Sequence, residues 1–359
     1  TSQITGEHTF FVRVRQGEAE WWSPVSVSLL SAFDLRFDAK ENTWLVRNNT
    51  DEPQAIKLTS GGEDYGVSHN QKLTGGEVGK VSLSTALAYG TTQVNLTSEG
   101  GAKASASHTD WSGTLAPDAA TDFVDLGTYF NSPIGDIFEA QYYTPRPTSP
   151  TVQLPVTGIG NWCYPNVEVN IDPSGLWAAA GADRVYKMPS GLPFQLAESP
   201  EVDNIAFTSR WDRFPDTVAV PLTGNARHLY LLLAGSTNPM QSRLDNGLVE
   251  VRYTDGTSSR LMLRNPDNWA PIEQDYYLDG YAFYADGARP PRVHLKDGTV
   301  PNDPAYIDIK GFSTTGIDGG AATVLDLPLD PGKALASLTV CTLANDVVIG
   351  LLAATLVRP

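Results

Sequence analysis

Apolar and polar residues alternate with a period of two through much of this chain, and turn-forming clusters break the alternation at short intervals. In His8-Thr-Phe-Phe-Val-Arg-Val-Arg15, Val12 and Val14 fall on one face, with Phe11 and Arg13 on the other. A break at Gln16-Gly17 follows, then a second alternating run from Trp22 to Leu29. The pair predicts a hairpin of the kind that ends a sandwich, so residues 1–30 read as the terminal strands of a preceding β domain. Short strands follow at Thr43–Arg47, Gln54–Leu58, Val78–Leu83 and Thr91–Thr97, separated by turns such as Asn48-Asn-Thr-Asp-Glu-Pro53. This spacing predicts a small antiparallel sandwich over residues 31–113.

The stretch 114–160 carries Tyr143-Thr-Pro-Arg-Pro-Thr-Ser-Pro150 and Pro155, and each residue before a proline favours extended backbone. It reads as a stiff connecting strap. Residues 161–359 carry the longest strand signals. Leu229-Tyr-Leu-Leu-Leu-Ala234 is apolar at every position, as in a central strand covered on both sides. Leu248–Tyr253 and Ser259–Arg264 flank Asp255-Gly256, a hairpin turn. Thr217–Leu222, Thr323–Leu329, Leu335–Leu343 and Val347–Val357 bring the count to about eight strands, which predicts a jelly roll. The expected fold is therefore all-β: tandem antiparallel β-sandwiches, the C-terminal one jelly-roll-like.

Composition narrows the function classes. The 359 residues include 41 acidic against 25 basic, a net charge of −16. That balance speaks against nucleic-acid binding and against docking on an anionic membrane. No apolar run is long enough for a membrane helix, so no membrane insertion is expected. Cys163 and Cys341 are too few for a disulfide framework or a cysteine-rich zinc site, and free thiols or a single bridge both remain open. The chain opens on Thr-Ser-Gln-Ile with no initiator Met, which reads as a processed form or part of something longer.

Standard catalytic motifs are absent: no nucleophile elbow, no His-Glu-x-x-His, no phosphate-binding loop. The five histidines show no ligand spacing and read as surface or packing residues, so no metal centre or cofactor is expected. The acidic cluster Glu273, Asp275, Asp279 and Asp286 leaves room for a structural calcium ion. Two loop segments combine aromatic and polar residues: Ala206–Pro215, and Ser236–Asn246 continued by Arg264–Tyr276. A sugar ring stacks its apolar face on an aromatic ring while Asp, Asn, Arg and Glu grip its hydroxyls. Candidate ligand-binding residues are thus Arg210, Trp211, Asp212, Arg243, Asn246, Trp269 and Tyr276. A glycosidase would need two converging carboxylates, for which Asp212, Asp245, Glu273 and Asp275 are the candidates. Against both stands a structural reading, in which the same residues plug long loops and satisfy their backbone groups.

The segments Gly158–Cys163, Ile205–Asp212, Ala234–Arg243 with Asp245-Asn-Gly247, and Arg264–Tyr277 carry a family resemblance. From Val124 to the C-terminus the chain resembles an uncharacterised β-rich family that forms the C-terminal portion of large, secreted, carbohydrate-active proteins of polysaccharide-degrading bacteria. The resemblance implies a glycan partner and a catalytic domain in the same or an associated chain, in the periplasm or outside the cell. It supplies no catalytic residues. The resulting expectation is the accessory, carbohydrate-contacting part of a polysaccharide-degrading enzyme. The alternatives are a glycoside hydrolase or lyase in its own right, and a purely structural brace for a catalytic domain.

Overall fold

The computed structural model describes residues 5–60, 67–83, 89–138, 170–210, 213–237, 243–273, 288–301, 317–345 and 347–359. The protein is nearly all β. It divides into two compact units, Thr1–Ala86 with Gln93–His108, and Leu87–Thr92 with Thr109–Pro359.

The smaller unit opens with β1 (Gly6–Gln16) and β2 (Ala19–Leu29), a two-stranded sheet of their own paired along their full length. Seven more strands follow: β3 (Phe33–Asp38), β4 (Thr43–Asn48), β5 (Gln54–Ser60), β6 (Val67–Leu73), β7 (Val78–Val81), β8 (Gly90–Ser98) and β9 (Lys103–Asp110). They form two sheets, ordered β3-β4-β7 and β6-β5-β8-β9. This is an immunoglobulin-like strand order with the fourth strand carried on the four-stranded sheet. Trp44, Val46, Ile56, Leu58, Val94 and Leu96 alternate inward and fill the space between the sheets. The predicted turn after β4 is organised by buried Asn48. Its Nδ2 donates to the carbonyls of Glu52 (2.9 Å) and Thr74 (3.1 Å), and its Oδ1 accepts from the Thr50 amide at 3.0 Å.

The larger unit holds β10 (Thr121–Phe123), a 3-10 turn (Ile134–Phe138), α1 (Ser174–Ala180), β11 (Val185–Lys187), β12 (Pro193–Gln195), β13 (Ala206–Ser209) and β14 (Thr217–Pro221). There follow β15 (His228–Thr237), β16 (Asp245–Tyr253), β17 (Ser258–Arg264), β18 (Arg292–His294), β19 (Ala321–Pro328), β20 (Leu335–Thr342) and β21 (Val347–Val357). One sheet runs β13-β21-β15-β19-β18, with β10 beside the far half of β21; the other runs β14-β20-β16-β17. The eight strands β13 to β17 and β19 to β21 thus alternate between sheets in jelly-roll order. The short connection after β14 carries the chain across from one sheet to the other, whereas Asp255-Gly256 closes a true hairpin between β16 and β17.

β15 is buried at all its positions because it has a core on each side. Leu229, Leu231 and Leu233 pack against the second sheet with Val249, Val251 and Leu338. Tyr230, Leu232 and Ala234 face a third layer made by α1, the β11–β12 hairpin and the 3-10 turn, through Leu176, Phe194 and Ile134. β21 serves both cores by changing phase. Val347, Ile349 and Leu351 face the inter-sheet core, then a register shift opposite Leu232/Leu233 leaves Ala354 and Leu356 on that same face.

The structure revises two expectations about the chain's organisation. The stretch expected as a strap begins inside the larger unit, with Thr121–Phe123 paired to Thr355–Val357. Its remainder, including the proline run, lies outside the described residues. Ala206–Ser209, expected as the start of a loop, is a fully buried strand.

Candidate functional site

The segments singled out for sugar-type chemistry come from different parts of the sequence, and jelly-roll topology delivers them to one place. β13 ends at Ser209 opposite Val348, and β15 ends at Thr237 opposite Val347. β16 begins at Asp245 opposite Arg264, the last residue of β17, and Gly247 lies opposite Thr342, the last residue of β20. The strand ends at Ser209, Thr237, Asp245, Arg264 and Thr342, and the described residues that continue from them, therefore all lie at the same end of the sandwich.

These strand ends carry a layer of buried polar side chains: Thr208, Ser236, Thr237, Asn246 and Thr342. Thr208 Oγ1 and Thr342 Oγ1 share a hydrogen bond of 2.7 Å, and Thr237 Oγ1 donates to Asn246 Oδ1 at 3.2 Å. Above the layer lie exposed ion pairs. Arg243 Nη1 meets Asp267 Oδ1 at 2.9 Å, and Arg264 pairs with Asp245. The Arg243 amide donates to the Asn265 carbonyl at 2.8 Å, tying two of the loops together. Arg243 holds a left-handed φ of 61°, a conformation that costs a non-glycine residue about 1–2 kcal/mol. Arg210 is exposed and donates from Nη1 to the Leu343 carbonyl at 3.2 Å, joining two further loops.

Trp269 is placed otherwise than a stacking residue requires. It is wholly buried, and its ring packs over Gly235 with Leu231 and Ile349 in the same core. Its polar neighbours explain the position. Asn268 Oδ1 accepts from the Arg264 amide at 2.9 Å, and its Nδ2 donates to the Met262 carbonyl at 2.9 Å. Asn268 thus closes the loop onto β17 and drives the indole inward, so Trp269 offers no ring face to a ligand. Asn246 is likewise completely buried and supports the loops from below. Glu273 is 2% exposed, and Arg292 of β18, also buried, donates to the Pro271 carbonyl at 2.7 Å. Trp211, Asp212, Asp275 and Tyr276 lie outside the described residues. So do Cys163, Asp279 and Asp286, while Cys341 is a half-buried free thiol.

Of the described candidates, Arg210, Arg243 and Asp245 are at least partly open to solvent, whereas Asn246, Trp269 and Glu273 are buried. Among the described residues no group of three or more His, Cys, Asp and Glu side chains is placed to hold a metal ion. No described helix is long and apolar enough to cross a membrane.

Sequence reasoning passed over a second hollow in the larger unit, a trough of about 540 Å³ alongside β10. Phe123 and Val202 are exposed on its walls, and Phe130, Arg184, Glu198 and Asp203 complete its lining. Phe123 and Phe130, which precede the proline run, are the sequence signal for it. On the smaller unit a groove of about 570 Å³ lies between Lys57, Asn70, Lys72, Thr97 and Glu99.

No protein-family profile matches this sequence, and no curated protein shows significant similarity to it.

Proposed function

We propose that this chain is a carbohydrate-contacting β-sandwich portion of a secreted bacterial polysaccharide-degrading enzyme, and that the ligand meets the loop-bearing end of the jelly roll. One observation carries the reading. The strand ends that border the segments dense in Arg, Asn, Asp and Trp gather at one end of the sandwich and are lined there with buried Thr, Ser and Asn. Exposed Arg210 and Arg243 are held there by hydrogen bonds to neighbouring loops, which fixes donors for hydroxyl groups. The resemblance of the same segments to β-rich domains of carbohydrate-active proteins points the same way.

Calorimetric titration against a panel of plant and algal polysaccharides tests the reading. Binding to at least one neutral glycan is expected, weakened about tenfold or more by Arg243→Ala, a change equivalent to losing about 1.4 kcal/mol of contact. Silence across the panel overturns it. The same panel, assayed for release of reducing ends, separates a binding module from an enzyme. Turnover by this chain, lost in Asp245→Asn or Glu273→Gln with the fold intact, would replace the accessory role with a hydrolytic one.

A further inference from the structure

Among the described residues, one sheet face in the smaller unit has nothing over it. β1 and β2 pair residue for residue, so successive pairs alternate between the faces of the hairpin. His8/Val27, Phe10/Val25, Val12/Ser23 and Val14/Trp21 share one face; Glu7/Ser28, Thr9/Ser26, Phe11/Pro24, Arg13/Trp22 and Arg15/Glu20 share the other. The second face sets an ion-pair network beside two exposed aromatics, Phe11 and Trp22. Arg13 donates to both carboxylate oxygens of Glu20 at 2.6 Å, Arg15 donates to Glu20 at 2.8 Å, and Ser28 donates to Glu7. These contacts draw the Glu20 carboxyl below its ordinary range, Arg13 contributing most. The first face carries no charged carboxylate, lysine or arginine. Phe10 is 54% exposed, Trp21 46%, Val12 45% and Val25 43%. Of the thirteen large apolar side chains exposed among the described residues, six (Phe10, Val12, Trp21, Val25, Val27 and Leu29) lie on this face and two, Phe11 and Trp22, on the other.

We propose that this face is the contact through which two copies of the chain associate, hairpin on hairpin, about a two-fold axis. A two-stranded ribbon is marginal in water by itself, and sheets with one apolar face are stable when that face packs on another. Among the described residues the hairpin is the sheet with such a face uncovered, so a second copy supplies the matching surface. The face is self-complementary under a two-fold placed near Phe10 and Val12. The bulky Trp21 near the turn of one copy then meets the slimmer His8 and Val27 near the open end of the other. The absence of acidic groups on this face lets two chains of net charge −16 meet without opposing carboxylates. A face eleven residues long and two strands wide buries on the order of 800–1,000 Å² in total, the lower edge of specific interfaces. The association is accordingly weak and concentration-dependent.

Sedimentation velocity on the full chain, from low micromolar to several hundred micromolar, tests this. A reversible monomer–dimer equilibrium is expected, with Trp fluorescence shifting to the blue as the dimer forms. Val25→Glu places uncompensated carboxylates in the contact and should weaken association by roughly a hundredfold to a thousandfold. Thr9→Glu, on the other face, should leave it unchanged. At a concentration where each is monomeric, all three proteins should share one thermal midpoint, because the hairpin belongs to none of the three hydrophobic cores. A monomer across the whole range overturns the proposal, as does a dimer that survives Val25→Glu or assembly beyond a dimer. A lowered midpoint in Val25→Glu overturns it too, since the face would then be serving its own chain.

Discussion

Glu250 is buried on β16, on the face of the second sheet turned away from the inter-sheet core, between two exposed arginines. Arg252 Nε donates to Oε2 at 2.8 Å and Arg260 Nε donates to Oε1 at 2.7 Å. The hydrogen bond from Arg252 outweighs the opposing effect of burial and, with Arg260, holds the carboxyl down at about 2. A carboxyl lowered in the folded state stabilises above its ordinary pKa and loses that contribution as pH falls through the folded value. Stability should therefore decline between about pH 4.5 and about pH 2, and Glu250→Gln should flatten that limb in acid unfolding curves. At neutral pH the same substitution should cost about 1–3 kcal/mol, less than a fully buried pair would, because both arginine heads are open to water. Gly235 shows a different single-residue constraint. A Cβ there would lie 2.1 Å from the Val348 carbonyl oxygen and 2.5 Å from Trp269 Cη2. Gly235→Ala should lower the chemical-denaturation midpoint by about 1–3 kcal/mol of stability or more, since backbone and indole block it together. Trp269 also marks a limit of reading by residue type. An indole between Asp267, Asn268 and Ala270 looks the same in sequence whether its neighbours serve a ligand or the loop's own backbone, and here Asn268 serves the backbone.

Strands long enough to show a period were legible from sequence. Val347–Val357 coincides with β21, and Thr217–Leu222 and Ser259–Arg264 coincide with β14 and β17 to within a residue. β10, β11, β12, β13 and β18 have three or four residues each, too few for alternation to stand out. They form because the buried edges of β21 and β19 need backbone partners, or because the third layer does, and both are tertiary demands. β6 escaped for another reason: Val-Ser-His-Asn-Gln-Lys-Leu is polar at its middle, as suits an edge strand. The phase change in β21 was equally hidden, since an unbroken apolar run gives no sign of which residue faces which core. The element that both cores share is the most sensitive to truncation. Leu231→Ala in β15 should cost about 2–5 kcal/mol in urea unfolding. Leu244→Ala should stay within about 0.5 kcal/mol, because Leu244 is 52% exposed just before β16.

At the scale of the whole molecule, the jelly roll has two unlike ends, and that asymmetry is what sequence could not supply. Candidate residues were recognisable one at a time, but their convergence depends on the strand order, which antiparallel pairing of β13 with β21 and β16 with β20 fixes. The opposite end is built from short connections after β14, β16 and β19, tied down by local contacts. Lys333 Nζ lies 3.0 Å from Asp255 Oδ2, and Arg358 Nη1 donates to the carbonyls of Thr223 at 3.0 Å and Asn225 at 2.9 Å. If glycan recognition belongs to the loop-bearing end, substitutions should sort by end rather than by residue type. Arg210→Ala and Arg243→Ala should each weaken glycan binding about tenfold, while Lys333→Ala, equally the loss of a surface cation, should leave affinity unchanged. A neutral ligand also predicts affinity nearly independent of salt, because hydrogen bonds to uncharged hydroxyls are not screened as exposed charge pairs are. Titrations of the three variants at low and high salt read both outcomes. Equal losses at the two ends would place recognition elsewhere in the molecule, and a steep salt dependence would mean an anionic glycan gripped by the arginines.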